Sequence, residues 1–105
     1  RNNELKEYPA DRQAVGYSDE PGTGFTSQTI DISHGDIIYL TTDGYTDQLG
    51  GKDHKRFKSQ AFRSLLLKIH KKPLAVQKKI LEKEFNRWKG KNIQTDDVLV
   101  FGMSL

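Results

Sequence analysis

The sequence predicts an α+β fold, and three observations carry that prediction. The first half of the 105-residue chain places polar and apolar residues in strand-like order between clusters of turn formers. The stretches 62–69 and 74–88 repeat their apolar residues with the period of a helix, and a last apolar run at 97–103 is again of strand length. The two helical stretches follow one another with no strand between them. That order fits an antiparallel sheet with two C-terminal helices on one face better than alternating βαβ units.

Taken in order, Glu4-Leu5-Lys6-Glu7-Tyr8 alternates polar and apolar before Pro9 and predicts a first strand. Glu20-Pro21-Gly22-Thr23-Gly24 is a loop by composition, and Phe25 to Ile32 closes on the alternation Thr29-Ile30-Asp31-Ile32. Ser33-His34-Gly35-Asp36 predicts a tight turn that folds the next segment back against this one. That segment, Ile37-Ile38-Tyr39-Leu40-Thr41-Thr42, is a continuous apolar and β-branched run, expected to be central and buried on both faces.

Beyond Gly50-Gly51 the period changes. Phe62, Leu65, Leu66 and Ile69 mark one stripe of a helix from about Lys58 to His70, with Ser59 as the expected N-cap. Pro73 suits the first turn of a second helix, whose stripe runs through Leu74, Gln77, Ile80, Leu81, Glu84, Phe85 and Trp88 to a C-cap at Gly90. The chain closes on the strand-like run Asp97 to Met103.

Length and composition bound the rest. The chain has room for one domain with one modest core. It opens at Arg1 with residues that already read as a strand, which raises the expectation of a piece cut from a longer protein. Its apolar runs are too short for a transmembrane helix, no signal peptide is visible, and the cytoplasm is the expected compartment. The absence of cysteine excludes a disulfide framework and any thiolate-bound metal. The net charge of +3 conceals a division. Residues 1–50 hold three basic against nine acidic residues, whereas 51–91 hold fourteen basic against three acidic. Lysines on the solvent faces of amphipathic helices account for such a basic span, and so would an anionic partner such as nucleic acid. The aromatics Phe57, Phe62, Phe85 and Trp88 fall largely on the apolar stripes, which favours the solvated-face reading and no nucleic acid contact.

Acidic residues stand at the ends of the two most apolar strands. Asp43 follows the run 37–42 at once, and Asp96-Asp97 opens the last strand. If these strands pair antiparallel, the carboxylates converge and need a counter-charge. Oxygen donors without cysteine point to a hard cation such as Mg²⁺ or Mn²⁺. Gly44 allows a sharp turn beside such a site. The same residues also fit a plain Asp-Gly turn and an ordinary strand start.

As a pattern, Gly35-Asp36-Ile37-Ile38-Tyr39-Leu40-Thr41-Thr42-Asp43-Gly44-Tyr45-Thr46-Asp47-Gln48, with Gln94-Thr95-Asp96-Asp97-Val98-Leu99-Val100 about fifty residues later, resembles the C-terminal half of metal-dependent type 2C serine/threonine protein phosphatases. The nearest branch is the stage II sporulation protein E-like one, and the resemblance implies that the sheet and its helices are part of an α-β-β-α sandwich. The resemblance takes in Ala14-Val15-Gly16 and both helices. It implies that Asp43 and Asp96 are metal ligands, with Gly44, Asp47 and Asp97 in support, and no catalytic side chain beyond the ligands. It also implies two Mn²⁺ or Mg²⁺ ions in the complete domain, a phosphoserine or phosphothreonine protein as substrate, and an upstream sensor or regulatory domain.

Two departures stand out. Leu99 occupies a position where relatives often have threonine. Nothing here matches the family's upstream bridging aspartate, since Ser33-His34-Gly35-Asp36 shares letters with that motif but reads as a turn. Residues 1–105 are therefore expected to be the C-terminal part of a single phosphatase domain without its N-terminal part, inactive in isolation. A pseudophosphatase or interaction module is the alternative. His54 and His70 read as surface or structural residues; His54 would serve as a general acid only if its loop folded over the cleft.

Overall fold

The computed structural model describes residues 1–9 and 27–105. The expected loop 20–24, the start of the strand at Phe25 and the Ala14-Val15-Gly16 match lie outside the described residues. The described order is β1 (Ile37–Thr41), α1 (Gly44–Asp47), β2 (Leu49–Gly50), β3 (Lys55–Arg56), α2 (Ser59–Ile69), α3 (Leu74–Lys89) and β4 (Val100–Ser104). This is the predicted α+β class, with antiparallel strands. Among the described residues no helix is long and apolar enough to cross a membrane.

β1 pairs antiparallel with β4, Ile37 opposite Ser104 and Thr41 opposite Val100. Beyond the ladder, Gly35 N–H donates to the Leu105 carbonyl at 2.8 Å and Leu105 N–H to the Asp36 carbonyl at 2.9 Å. The 33–36 turn forms as expected, closed by Asp36 N–H on the Ser33 carbonyl and by Ser33 N–H on the Asp36 carboxylate. It does not make a hairpin, because residues 27–32 lie in no strand and Ile30 and Ile32 are exposed. Among the described residues β1 is accordingly not central: Leu40 and, across from it, Phe101 are exposed. An unbroken apolar run records what a strand is able to bury, not which neighbours it meets. Residues 4–8 also form no strand, although Leu5 packs against the core.

The helices form where the apolar period places them. Phe62, Leu66 and Ile69 of α2 and Leu81 and Phe85 of α3 are buried, Leu65 and Trp88 are half-buried, and the lysines of the two helices point to solvent apart from the half-buried Lys89. Ser59 is the first helical residue rather than the cap; Lys58 takes the cap position at φ +78°. Pro73 stands one position before α3, and Gly90 ends it with φ +53° and its N–H on the Asn86 carbonyl. α3 covers the inner face of the β1–β4 sheet, where the Tyr39 hydroxyl donates to Gln77 Oε1 at 2.6 Å. Gln77 is itself buried and donates to the carbonyls of His70 and Lys72.

Tyr45, on the single-turn α1, is the hub of the core. Its ring lies 4.8 Å from Phe62, 5.1 Å from Phe85 and 5.3 Å from Phe57. Its hydroxyl donates to the Leu81 carbonyl at 2.8 Å, and burial pushes its pKa well above the usual phenol range. The small β2–β3 hairpin, which the change of period after Gly50-Gly51 does not announce, joins α1 to α2.

Candidate metal-binding corner

The strand pairing decides where the acidic residues stand. Thr41 is opposite Val100, so the chain leaving β1 runs beside the chain entering β4. Thr42 ties the two together: its N–H donates to the Leu99 carbonyl at 3.0 Å, its hydroxyl donates to the Asp97 carbonyl at 2.8 Å, and the same oxygen accepts the Leu99 N–H at 3.0 Å. Threonine supplies both a donor and an acceptor at one atom, which this three-way contact requires.

Asp43 follows in a helical conformation and starts α1, its carbonyl accepting from Asp47 N–H at 2.9 Å and from the Thr46 hydroxyl at 3.2 Å. Gly44 is buried, and a Cβ there would overlap the Asp97 carbonyl oxygen and approach Val98 Cγ2 to 3.1 Å. The Asp-Gly step and the Asp-Asp step are thus in backbone contact. Asp96 accepts the Asp97 N–H on Oδ1 at 2.7 Å, which fixes the orientation of its carboxylate. Among the described residues, the carboxylate of Asp43 has no hydrogen-bond donor. Asp43, Asp47, Asp96 and Asp97 are all exposed.

The structure therefore brings the Asp43-Gly44 and Asp96-Asp97 steps to one end of the sheet, with Asp47 at the far end of α1. Exposed carboxylate oxygens are the donors a hard cation takes. Among the described residues, however, no three acidic or histidine side chains gather closely enough to hold a metal ion. The donor set fits a share of a metal shell rather than the whole of one. His34 sits in the 33–36 turn, His70 bonds Asn3 at 3.1 Å, and His54 bonds Asn92 at 2.7 Å, so each has a surface or structural setting. Thr42 was not singled out by sequence reasoning. The only signal for it is a hydroxyl placed where an apolar strand gives way to an acidic step.

The sequence profile of the stage II sporulation protein E (SpoIIE) family matches residues 1–105. The chain belongs to the SpoIIE family. Among solved structures, it is similar to the SiaA-PP2C domain of Pseudomonas aeruginosa, with 26% identity and a TM-score of 0.73. That match covers 80% of this chain and 34% of the other, so the SpoIIE-family chain spans about a third of the domain it resembles. Family and fold together assign it to a phosphatase-type domain. No curated relative matches this chain.

Proposed function

We propose that this chain is the C-terminal part of a metal-dependent protein phosphatase domain acting on phosphoserine or phosphothreonine, with Asp43 and Asp96 as metal ligands. The observation that carries the reading is the contact of Gly44 with the Asp97 backbone, because it holds the two acidic steps of the family pattern side by side. Two bound Mn²⁺ or Mg²⁺ ions would supply the lowered water pKa and the charge neutralisation that phosphoester hydrolysis needs.

The chain's own contribution is positional. Asp43 would present its carboxylate from the cap of α1, and Asp96 the oxygen not engaged by the Asp97 N–H. The Thr42 hydroxyl keeps the two backbones in register, and Gly44 leaves room for their approach. Asp47 and Asp97 add negative charge around the same corner. Neither His54 nor His70 is assigned a proton transfer.

A non-catalytic role for the isolated chain is favoured by one observation, the lack of a three-ligand cluster among the described residues. Hydrolysis of p-nitrophenyl phosphate with added Mn²⁺ separates the two readings. The complete domain should turn the ester over, Asp43→Asn or Asp96→Asn should abolish turnover, and residues 1–105 alone should show negligible activity. Full activity in either asparagine variant would overturn the ligand assignment.

A further inference from the structure

We infer that the basic segment 51–58, running from the turn of the β2–β3 hairpin to the cap of α2, is the docking element for protein substrates whose phosphorylated residue is flanked by acidic side chains. This deepens the phosphatase reading and rests on it. The segment holds Lys52, Lys55, Arg56 and Lys58 against the single acidic residue Asp53. All four cations are exposed, and none joins an ion pair among the described residues, where the pairs are Arg1–Asp36, Arg63–Glu7 and Arg87–Glu84.

Backbone hydrogen bonds join the element to α1, at whose start the acidic corner lies. Lys58 N–H donates to the Thr46 carbonyl at 2.9 Å and Phe57 N–H to the Gln48 carbonyl at 3.0 Å, which ties the hairpin to the helix that begins beside Asp43. The Phe57 ring is clamped between Tyr45 and Trp88, at 5.3 and 5.8 Å. At the hairpin base a Cβ on Gly50 would overlap the Trp88 carbonyl oxygen, so only glycine allows α3 this close. Lys58 is held at φ +78°, a conformation unfavourable for a non-glycine residue that persists only where its surroundings enforce it.

Such an arrangement answers an electrostatic need. Bound ions would neutralise Asp43 and Asp96, but Asp47 and Asp97 remain exposed at the same corner and would repel acidic residues on either side of the phosphate. An exposed cationic rim on the adjoining element, unpaired among the described residues, would offset that repulsion for an approaching segment. It also provides charge partners for carboxylates on either side of the phosphoryl group.

The test compares two phosphoserine peptides of equal length, one flanked by Asp and Glu and the other by Asn and Gln, on the full-length protein with Mn²⁺. Binding is read by fluorescence anisotropy and turnover by phosphate release. At low ionic strength the acidic peptide should bind about five- to tenfold more tightly, the effect of a few exposed charge contacts. That preference should shrink at about 0.5 M salt and be mostly lost in the Lys55→Gln/Arg56→Gln variant. Equal binding of the two peptides by the natural protein, or a preference that survives both salt and the double substitution, overturns the docking role. Preferential binding without turnover of either peptide would support the docking element and defeat the phosphatase reading instead.

Discussion

Thr42 and Asp97 are joined by a 2.8 Å hydrogen bond from the Thr42 hydroxyl to the Asp97 carbonyl, and this bond links two acidic steps that the sequence separates by about fifty residues. The same hydroxyl accepts the Leu99 N–H, so one side chain holds the last residues before β4 against the end of β1. Removing it would release the approach to β4 and loosen the seat of Asp96. Thr42→Val should cost about 1 kcal/mol and speed hydrogen exchange at the Leu99 amide. An unchanged Leu99 exchange rate would show that the ladder holds this end without Thr42.

Gly44 is constrained by space rather than by backbone angle. A methyl group there meets the Asp97 carbonyl and Val98 Cγ2, both held by the chain, so relief requires backbone movement. Gly44→Ala should destabilise the complete domain by about 1 to 3 kcal/mol in urea titration and weaken its Mn²⁺ affinity. A native denaturation midpoint together with native Mn²⁺ affinity would refute the close approach.

Tyr45 joins the core to the acidic corner. Tyr45→Phe removes only the bond to the Leu81 carbonyl and should cost about 1 kcal/mol, whereas Tyr45→Ala should cost about 3 to 5 kcal/mol. Because burial raises the Tyr45 pKa above its ordinary 10.0, the fold favours the neutral phenol. Its contribution is complete below that value and is lost as the pH rises past it. Alkaline denaturation monitored by tyrosinate absorbance should show late tyrosine ionisation together with unfolding, from Tyr45 and to a lesser degree Tyr39, and Tyr45→Phe should diminish that component.

Asp36 sets an acid limit at the other end of β1. Arg1 donates to both of its oxygens, at 3.0 and 2.6 Å, and the Ser33 N–H adds a third bond, so its pKa falls from 3.8 to about 2. The folded pKa is the lower one, so the stabilisation is complete above 3.8 and is lost as the pH falls through about 2. Stability measured between pH 5 and pH 2 should decline less steeply in Asp36→Asn. An identical acid limb in the two proteins would mean that the ion pair does not persist in solution.

Both helices were legible in the sequence because their information is local. Phe62, Leu66 and Ile69 repeat at helical spacing, and Pro73 and Gly90 punctuate the second helix. The acidic steps were equally visible, since Asp43-Gly44 and Asp96-Asp97 interrupt apolar runs abruptly. Strand partners were legible only in part: the antiparallel pairing of the 37–42 run with the last strand, expected from their acidic ends, is made, whereas the expected return against residues 27–32 is not. Nothing in the Ile37–Thr41 run distinguishes pairing with residues 27–32 from pairing with Val100–Ser104, because an apolar run specifies burial and leaves the neighbour open. Tertiary structure alone made Tyr45 the hub of the core, put Lys58 rather than Ser59 at the N-cap of α2, and placed the hydroxyl of Thr42 on Asp97. Each of these depends on hydrogen bonds and ring contacts between segments distant in the chain, whose geometry is settled only when β1, β4 and α3 close on one another.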